Sequence, residues 1–262
     1  MTIPVRPGAA RPAARPGTPD PLAPLLDLPG VRDAADACRA AIDRLLAHRL
    51  MRSRSAEVST ESALRGARAS AALEGVDVPL ADLRAGAVSD PLVQASLRVS
   101  AALGSMADTW RRAPGQVLAR MHTLAAADLV DRERLGRPAA HAGPRLSGLF
   151  GLVTGESTVP AVLVAGLVHG ELAALAPFGS ADGIVARAAG RLTGITRGLD
   201  PKAVSVPEVG FAELGRDAYA EALAGYGAGG SAGVAGWLVH CCRATEHGAA
   251  EGLAIAEAIL RG

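Results

Sequence analysis

The strongest constraint on this fold is the stretch 160–175, P-A-V-L-V-A-G-L-V-H-G-E-L-A-A-L, in which only His169 and Glu171 are polar. A helix that is apolar on every side has to be buried on every side. The segment is therefore expected to be the central helix of a bundle, and Pro177 ends it, because the residue before a proline is driven out of right-handed helical geometry. Its apolar run 159–168 is about half of the roughly 20 residues that a membrane-crossing helix needs, so no membrane span is expected.

The rest of the chain points to an all-α fold class. Hydrophobic residues make up 49% of the 262 positions and aromatic residues only 3%, so the core has to be built from Ala, Leu and Val. Alanine is the strongest helix former, and strands favour the β-branched and aromatic residues. Apolar residues recur at helical spacing over 31–51, 58–72, 91–110, 114–129, 184–195, 205–223 and from about 231 to 260. Ser205 with Glu208 three residues on resembles a capping box at the start of one of these helices. Residues 1–30 are rich in Pro, Ala, Arg and Gly and are expected to be a disordered tail, since they offer too little apolar surface to offset chain entropy. Residues 31–262 are expected to form one helical domain. Glycines and prolines punctuate 133–160, which reads as a loop carrying a short β-hairpin flap.

Charge and cysteine content exclude several classes. The formal net charge is +1, so the chain has no general attraction for nucleic acid or an anionic membrane. Lys202 is the only lysine among 27 cationic residues. Cys38, Cys241 and Cys242 form no disulfide framework and no C-x-x-C pair, which points to a reducing, cytoplasmic setting. No apolar h-region is read at the N-terminus, so no signal peptide is expected. His122, His141, His240 and His247 show no metal-ligand spacing, and no metal site is expected.

The segment 176–187, A-P-F-G-S-A-D-G-I-V-A-R, places a tight loop between two helices. Taken by themselves, Ser180 or Asp182 read as an N-cap of the helix that opens near Ile184. The segment also resembles the Fic motif, H-P-F-x-(D/E)-G-N-G-R-x-x-R, in Pro177, Phe178, Gly183 and Arg187, with Asp182 a near-isostere of the motif asparagine. It departs at Ala176 for the histidine, Ser180 for the acidic residue, Ala181 for the first glycine and Ile184 for the first arginine. His169, seven residues before Ala176, matches a histidine common on the helix that leads to the motif. Upstream, Ser70, Glu74 and Gly75 fit the family's inhibitory helix motif, (S/T)-x-x-x-E-(G/N), within a helix over 57–75. Downstream, Tyr219 and Trp237 lie in segments that resemble the family's trailing helices.

The resemblance implies a Fido-like helical bundle built for AMP transfer from ATP to a protein hydroxyl. In that family the histidine is the general base, the acidic residue helps to hold Mg²⁺, and the first arginine neutralises phosphate charge. Ala176 has no proton acceptor, and loss of a general base typically costs about 10²–10⁴-fold in rate. Ser180 is a poor ligand for Mg²⁺, which takes carboxylate and phosphate oxygens, and Ile184 carries no charge. The resemblance leaves Asp182, Gly183 and Arg187 as nucleotide-contacting positions, with ATP as the one cofactor it admits and Mg²⁺ disfavoured. Ser70, Glu74 and Gly75 take the regulatory role, with Glu74 bridging Arg187 across the pocket. The pattern implies a pseudoenzyme kept as a regulatory or binding module for an unidentified protein partner, with a homodimer as one arrangement found in the family. One alternative is an active nucleotidyl transferase that uses His169 or Asp182 as a substitute base. The other is a helical interaction scaffold.

Overall fold

The computed structural model describes residues 20–261. Its helices are α1 (Val31–Ala47), α2 (Ser55–Leu73), α3 (Leu80–Arg84), α4 (Pro91–Ala102), α5 (Ala107–Trp110), α6 (Pro114–Ala125), α7 (Gly143–Thr154), α8 (Ala161–Leu175), α9 (Asp182–Thr196), α10 (Pro207–Leu214), α11 (Arg216–Ala228) and α12 (Gly230–Arg261). No strand occurs among the described residues.

The apolar segment is the centre of the bundle. α8 packs on α9 over most of its length and also against α1, α7, α11 and α12. Val162, Leu163, Val164, Val168 and Leu172 are all buried. Two apolar clusters flank it. One joins α1, α8 and α12 around Ile42, Leu45, Leu163 and Trp237. The other joins α4, α6, α7 and α9 around Val99, Met121, Leu172 and Leu192. Among the described residues no helix is long and apolar enough to cross a membrane.

Four expectations need correction. The first concerns the tail, of which residues 1–19 lie outside the described residues. Within 20–30, Ala23–Asp27 forms a 3-10 turn, and Leu22, Leu25, Leu26 and Leu28 pack on the core. Four leucines in seven residues give this end of the segment the apolar surface that its Pro/Arg-rich remainder lacks. The second concerns the flap. Residues 143–154 are helix α7, with Pro144 in the first turn and Leu146, Leu149 and Val153 buried on one face. Pro144 suits a first turn, where no intrahelical N–H is needed, and the 3- and 4-residue apolar spacing outweighs Gly148 and Gly151.

The third concerns the Ser205–Glu208 box. Helix α10 starts at Pro207 with no side-chain cap. The Ser205 hydroxyl donates to Asp200 at 2.7 Å, and Glu208 pairs with Arg191 at 3.2 Å. A buried guanidinium competes better for that carboxylate than a helix-end amide does. The expected helix also breaks at Gly215, where φ is +102°. The fourth concerns 91–110, which divides at a 3-10 turn over Leu103–Met106.

Candidate functional site

The loop 176–181 joins the two central helices. At Ala176, exposed to solvent, the chain enters the left-handed region at φ 45°, and Pro177 forbids any return to the helix of α8. From the other side, residues between α6 and α7 hold the loop, with the Ala139 N–H donating to the Pro177 carbonyl at 2.8 Å. Phe178 stacks on His122 of α6, ring centroids 4.1 Å apart and 5° from parallel.

His122, which has no metal spacing in the sequence, is the imidazole that touches this loop. It is 1% exposed. Its Nδ1 accepts from the Gly136 N–H at 2.9 Å, and its Nε2 lies 3.1 Å from Ser180 Oγ. With Nδ1 an acceptor, the neutral ring carries its proton on Nε2 and donates to the Ser180 hydroxyl. Burial, and then the charge of Arg134, push its pKa below the usual histidine value. His122 thus offers the loop a hydrogen-bond donor and no base.

Asp182 is not an N-cap, and neither is Ser180. Helix α9 begins at Asp182, its N-cap is Ala181 at φ 53°, and no side chain caps it. The Asp182 carboxylate instead turns back and accepts from the Phe178 N–H at 3.0 Å. Burial raises its pKa and so does the nearby Glu74, while the N–H groups of Phe178, Gly179 and Ser180 pull it down; the net shift is upward. Ile184, at the place of the family's first arginine, is 2% exposed and belongs to the apolar cluster around Leu192.

The other end of the motif is built differently. Helix α2 ends in a Schellman motif, with Gly75 N–H donating to Ala72 O at 2.9 Å and Val76 N–H to Ala71 O at 3.0 Å. Gly75 supplies the left-handed turn at φ +98° that this ending requires. The ending puts Glu74 at the C-cap, one turn beyond Ser70, on the face turned toward α9. Arg187 meets both. Its Nη2 reaches Glu74 Oε1 at 2.6 Å and the Ser70 carbonyl at 3.0 Å, and its Nε donates to Ser70 Oγ at 2.9 Å. The Arg187 side chain is 1% exposed and that of Glu74 28%. Burial opposes the arginine's charge, but Tyr219 and Glu74 outweigh it and hold its pKa above the ordinary value. Gly183 makes the contact possible, because a Cβ there would lie 2.2 Å from Glu74 Oε1.

Behind Arg187, its guanidinium carbon sits 6.0 Å from the Tyr219 ring centroid, and the Tyr219 hydroxyl lies 2.8 Å from His169 Nε2. His169 is 3% exposed and packed edge-on against Phe211 and Trp237. Burial, followed by Arg187 and His240, holds its pKa well below the usual value. It is a hydrogen-bonded core histidine. The cavity it lines with Gly190, Asp200 and Glu208 has a volume of about 50 Å³, room for a few waters and far below that of a nucleotide pocket.

The arrangement of helices matches solved structures closely. A Fic family protein from Desulfovibrio desulfuricans superposes with a TM-score of 0.71 at 17% identity, covering 86% of this chain and 74% of that one. The chain has the Fic fold. A Fic-1 fragment from C. elegans gives a TM-score of 0.66 at 15% identity over 90% of this chain and 73% of its own. A glutamate-to-glycine variant of that fragment gives 0.61 at 16% identity, over 91% and 75%. No family model matches the sequence, and no curated protein does. At such identities the likeness carries the fold, and the chemistry has to be read from the side chains. Those side chains do not fit Mg²⁺-ATP in the manner of the motif. The metal-ligand position is a hydroxyl bonded to His122, the phosphate arginine is a buried isoleucine, and a carboxylate faces the loop amides. No cluster of metal-ligating side chains occurs among the described residues.

Proposed function

We propose that this chain is a Fic-fold pseudoenzyme, without AMP-transferase activity, whose closed pocket serves as a structural element of a regulatory or binding module. One observation carries the reading: at positions 176, 180 and 184 the side chains are an exposed methyl, a hydroxyl bonded to His122 and an isoleucine committed to the core. None of the three can do the task that the motif assigns to it. The candidate substitute bases are engaged elsewhere, His169 by Tyr219 and Asp182 by the loop amides. In this reading Ser70, Glu74 and Gly75 keep the geometry of the family's regulatory helix, and Glu74 and Arg187 close the pocket as a folding contact. The module acts on a protein partner, without nucleic acid or membrane, in the cytoplasm.

The test is transfer of radiolabelled AMP from ATP by the wild-type chain and by Glu74→Gly, assayed for self-labelling and on cell lysate with and without Mg²⁺. No labelled band is expected from either protein. A band that depends on the added chain overturns the reading.

A further inference from the structure

The end of α9 that faces the loop carries two carboxylates from the protein itself, by independent routes. Glu74 arrives from α2, bonds Arg187 at 2.6 Å and lies against Gly183, where no side chain fits beneath it. Asp182 arrives from within the motif and bonds the Phe178 N–H at 3.0 Å, with the Gly179 and Ser180 amides also turned toward it. A helix N-terminus preceded by converging N–H groups attracts anions, and here the anion is a side chain two to four residues along the chain. An internal ligand of that kind is present at an effective concentration that a free anion does not reach.

We propose that Asp182 is the resident anion of the motif loop, a second occlusion beside Glu74, so that removing Glu74 alone does not admit a polyphosphate. The inference rests on the pseudoenzyme reading and adds the residue that excludes the ligand. The two carboxylates divide the work. Glu74 covers Arg187 and the first turn of α9, and Asp182 takes the Phe178 amide of the motif loop. An incoming polyphosphate has to displace both, and each repels the phosphate charge until it is gone.

The experiment is calorimetric titration of inorganic pyrophosphate, and then ATP, into four full-length proteins: wild type, Glu74→Gly, Asp182→Ala and the double variant. Circular dichroism and thermal melting establish that each is folded. The double variant is expected to bind pyrophosphate at least tenfold more tightly than either single variant, with Glu74→Gly no better than wild type. Should Asp182→Ala not fold, Asp182→Asn replaces it, since the amide keeps an acceptor for Phe178 and removes only the charge. Glu74→Gly binding as tightly as the double variant, or a folded double variant that binds nothing, overturns the inference. AMP transfer by any variant defeats the pseudoenzyme reading instead, and the binding pattern still decides whether Asp182 is the occlusion.

Discussion

The two ends of one twelve-residue motif have different partners. At its start, positions 176, 180 and 184 are those whose partners in the Fic family are a target hydroxyl, a metal ion and a phosphate. Here they hold a methyl, a hydroxyl tied to His122 and an isoleucine in the core. At its end, Arg187 binds Ser70 and Glu74 of the same chain, and its side chain is 1% exposed. The difference lies in where the free energy of each contact goes. A side chain that touches only substrate contributes nothing to folding, whereas a buried cation left without its partners destabilises the whole domain.

The largest test of this contrast is Ile184→Arg, which restores the family's first arginine. A guanidinium placed at a site 2% exposed is expected to cost roughly 3–5 kcal/mol, seen as a collapse of the urea midpoint or of soluble yield. A mild effect would mean that position 184 is still a usable part of the pocket. Arg187→Met comes next, at about 3 kcal/mol by the same measurement, the lower end of the range because Glu74 regains water. A loss under about 1 kcal/mol would place the pair among ordinary surface ion pairs.

Acid sharpens the comparison at its buried end. His169 and His122 have folded pKa values lowered from 6.5, so the unfolded chain takes up protons first. Their stabilisation is complete above 6.5 and is lost as pH falls through that value toward the folded ones. Each contributes at most about 1.4 kcal/mol per pH unit. Chemical denaturation across pH 5–8 should show stability falling with acid, and His169→Gln should flatten the slope by one proton. An unchanged slope would mean that His169 titrates normally. Gly75→Ala, at φ +98°, is expected to cost about 1 kcal/mol in thermal melting. Ala176→His should change stability least, within about 0.5 kcal/mol, because the site is exposed and histidine tolerates left-handed geometry. It should restore no AMP transfer, since positions 180 and 184 are unchanged; transfer by this variant would locate the whole loss at one residue.

Much of the architecture was legible because it is written in local periodicity. The apolar stretch 160–175 could only be a buried helix, and Pro177 placed its end within a residue. The spacing of Ser70, Glu74 and Gly75 encodes a helix end, and the matching order of motifs along the chain pointed to the Fic fold. Glycine counting misled at 143–154, where Leu146, Leu149 and Val153 make a helical face. The Ser205–Glu208 box failed because Arg191, 17 residues from Glu208, takes the carboxylate.

The sequence by itself determined most of the helices, their central member and the absence of an imidazole at position 176, since each depends on residues within a few turns of one another. Apart from the Glu74–Arg187 pair, which the family resemblance implied, only the tertiary structure decided which side chains meet. His122 contacts Ser180 across 58 positions, and Arg187 contacts Ser70 across 117. Neither spacing carries a periodic signal, because the contacts form only when α6 and α2 pack on α9. Asp182, an expected helix cap, instead accepts from the Phe178 N–H of its own loop.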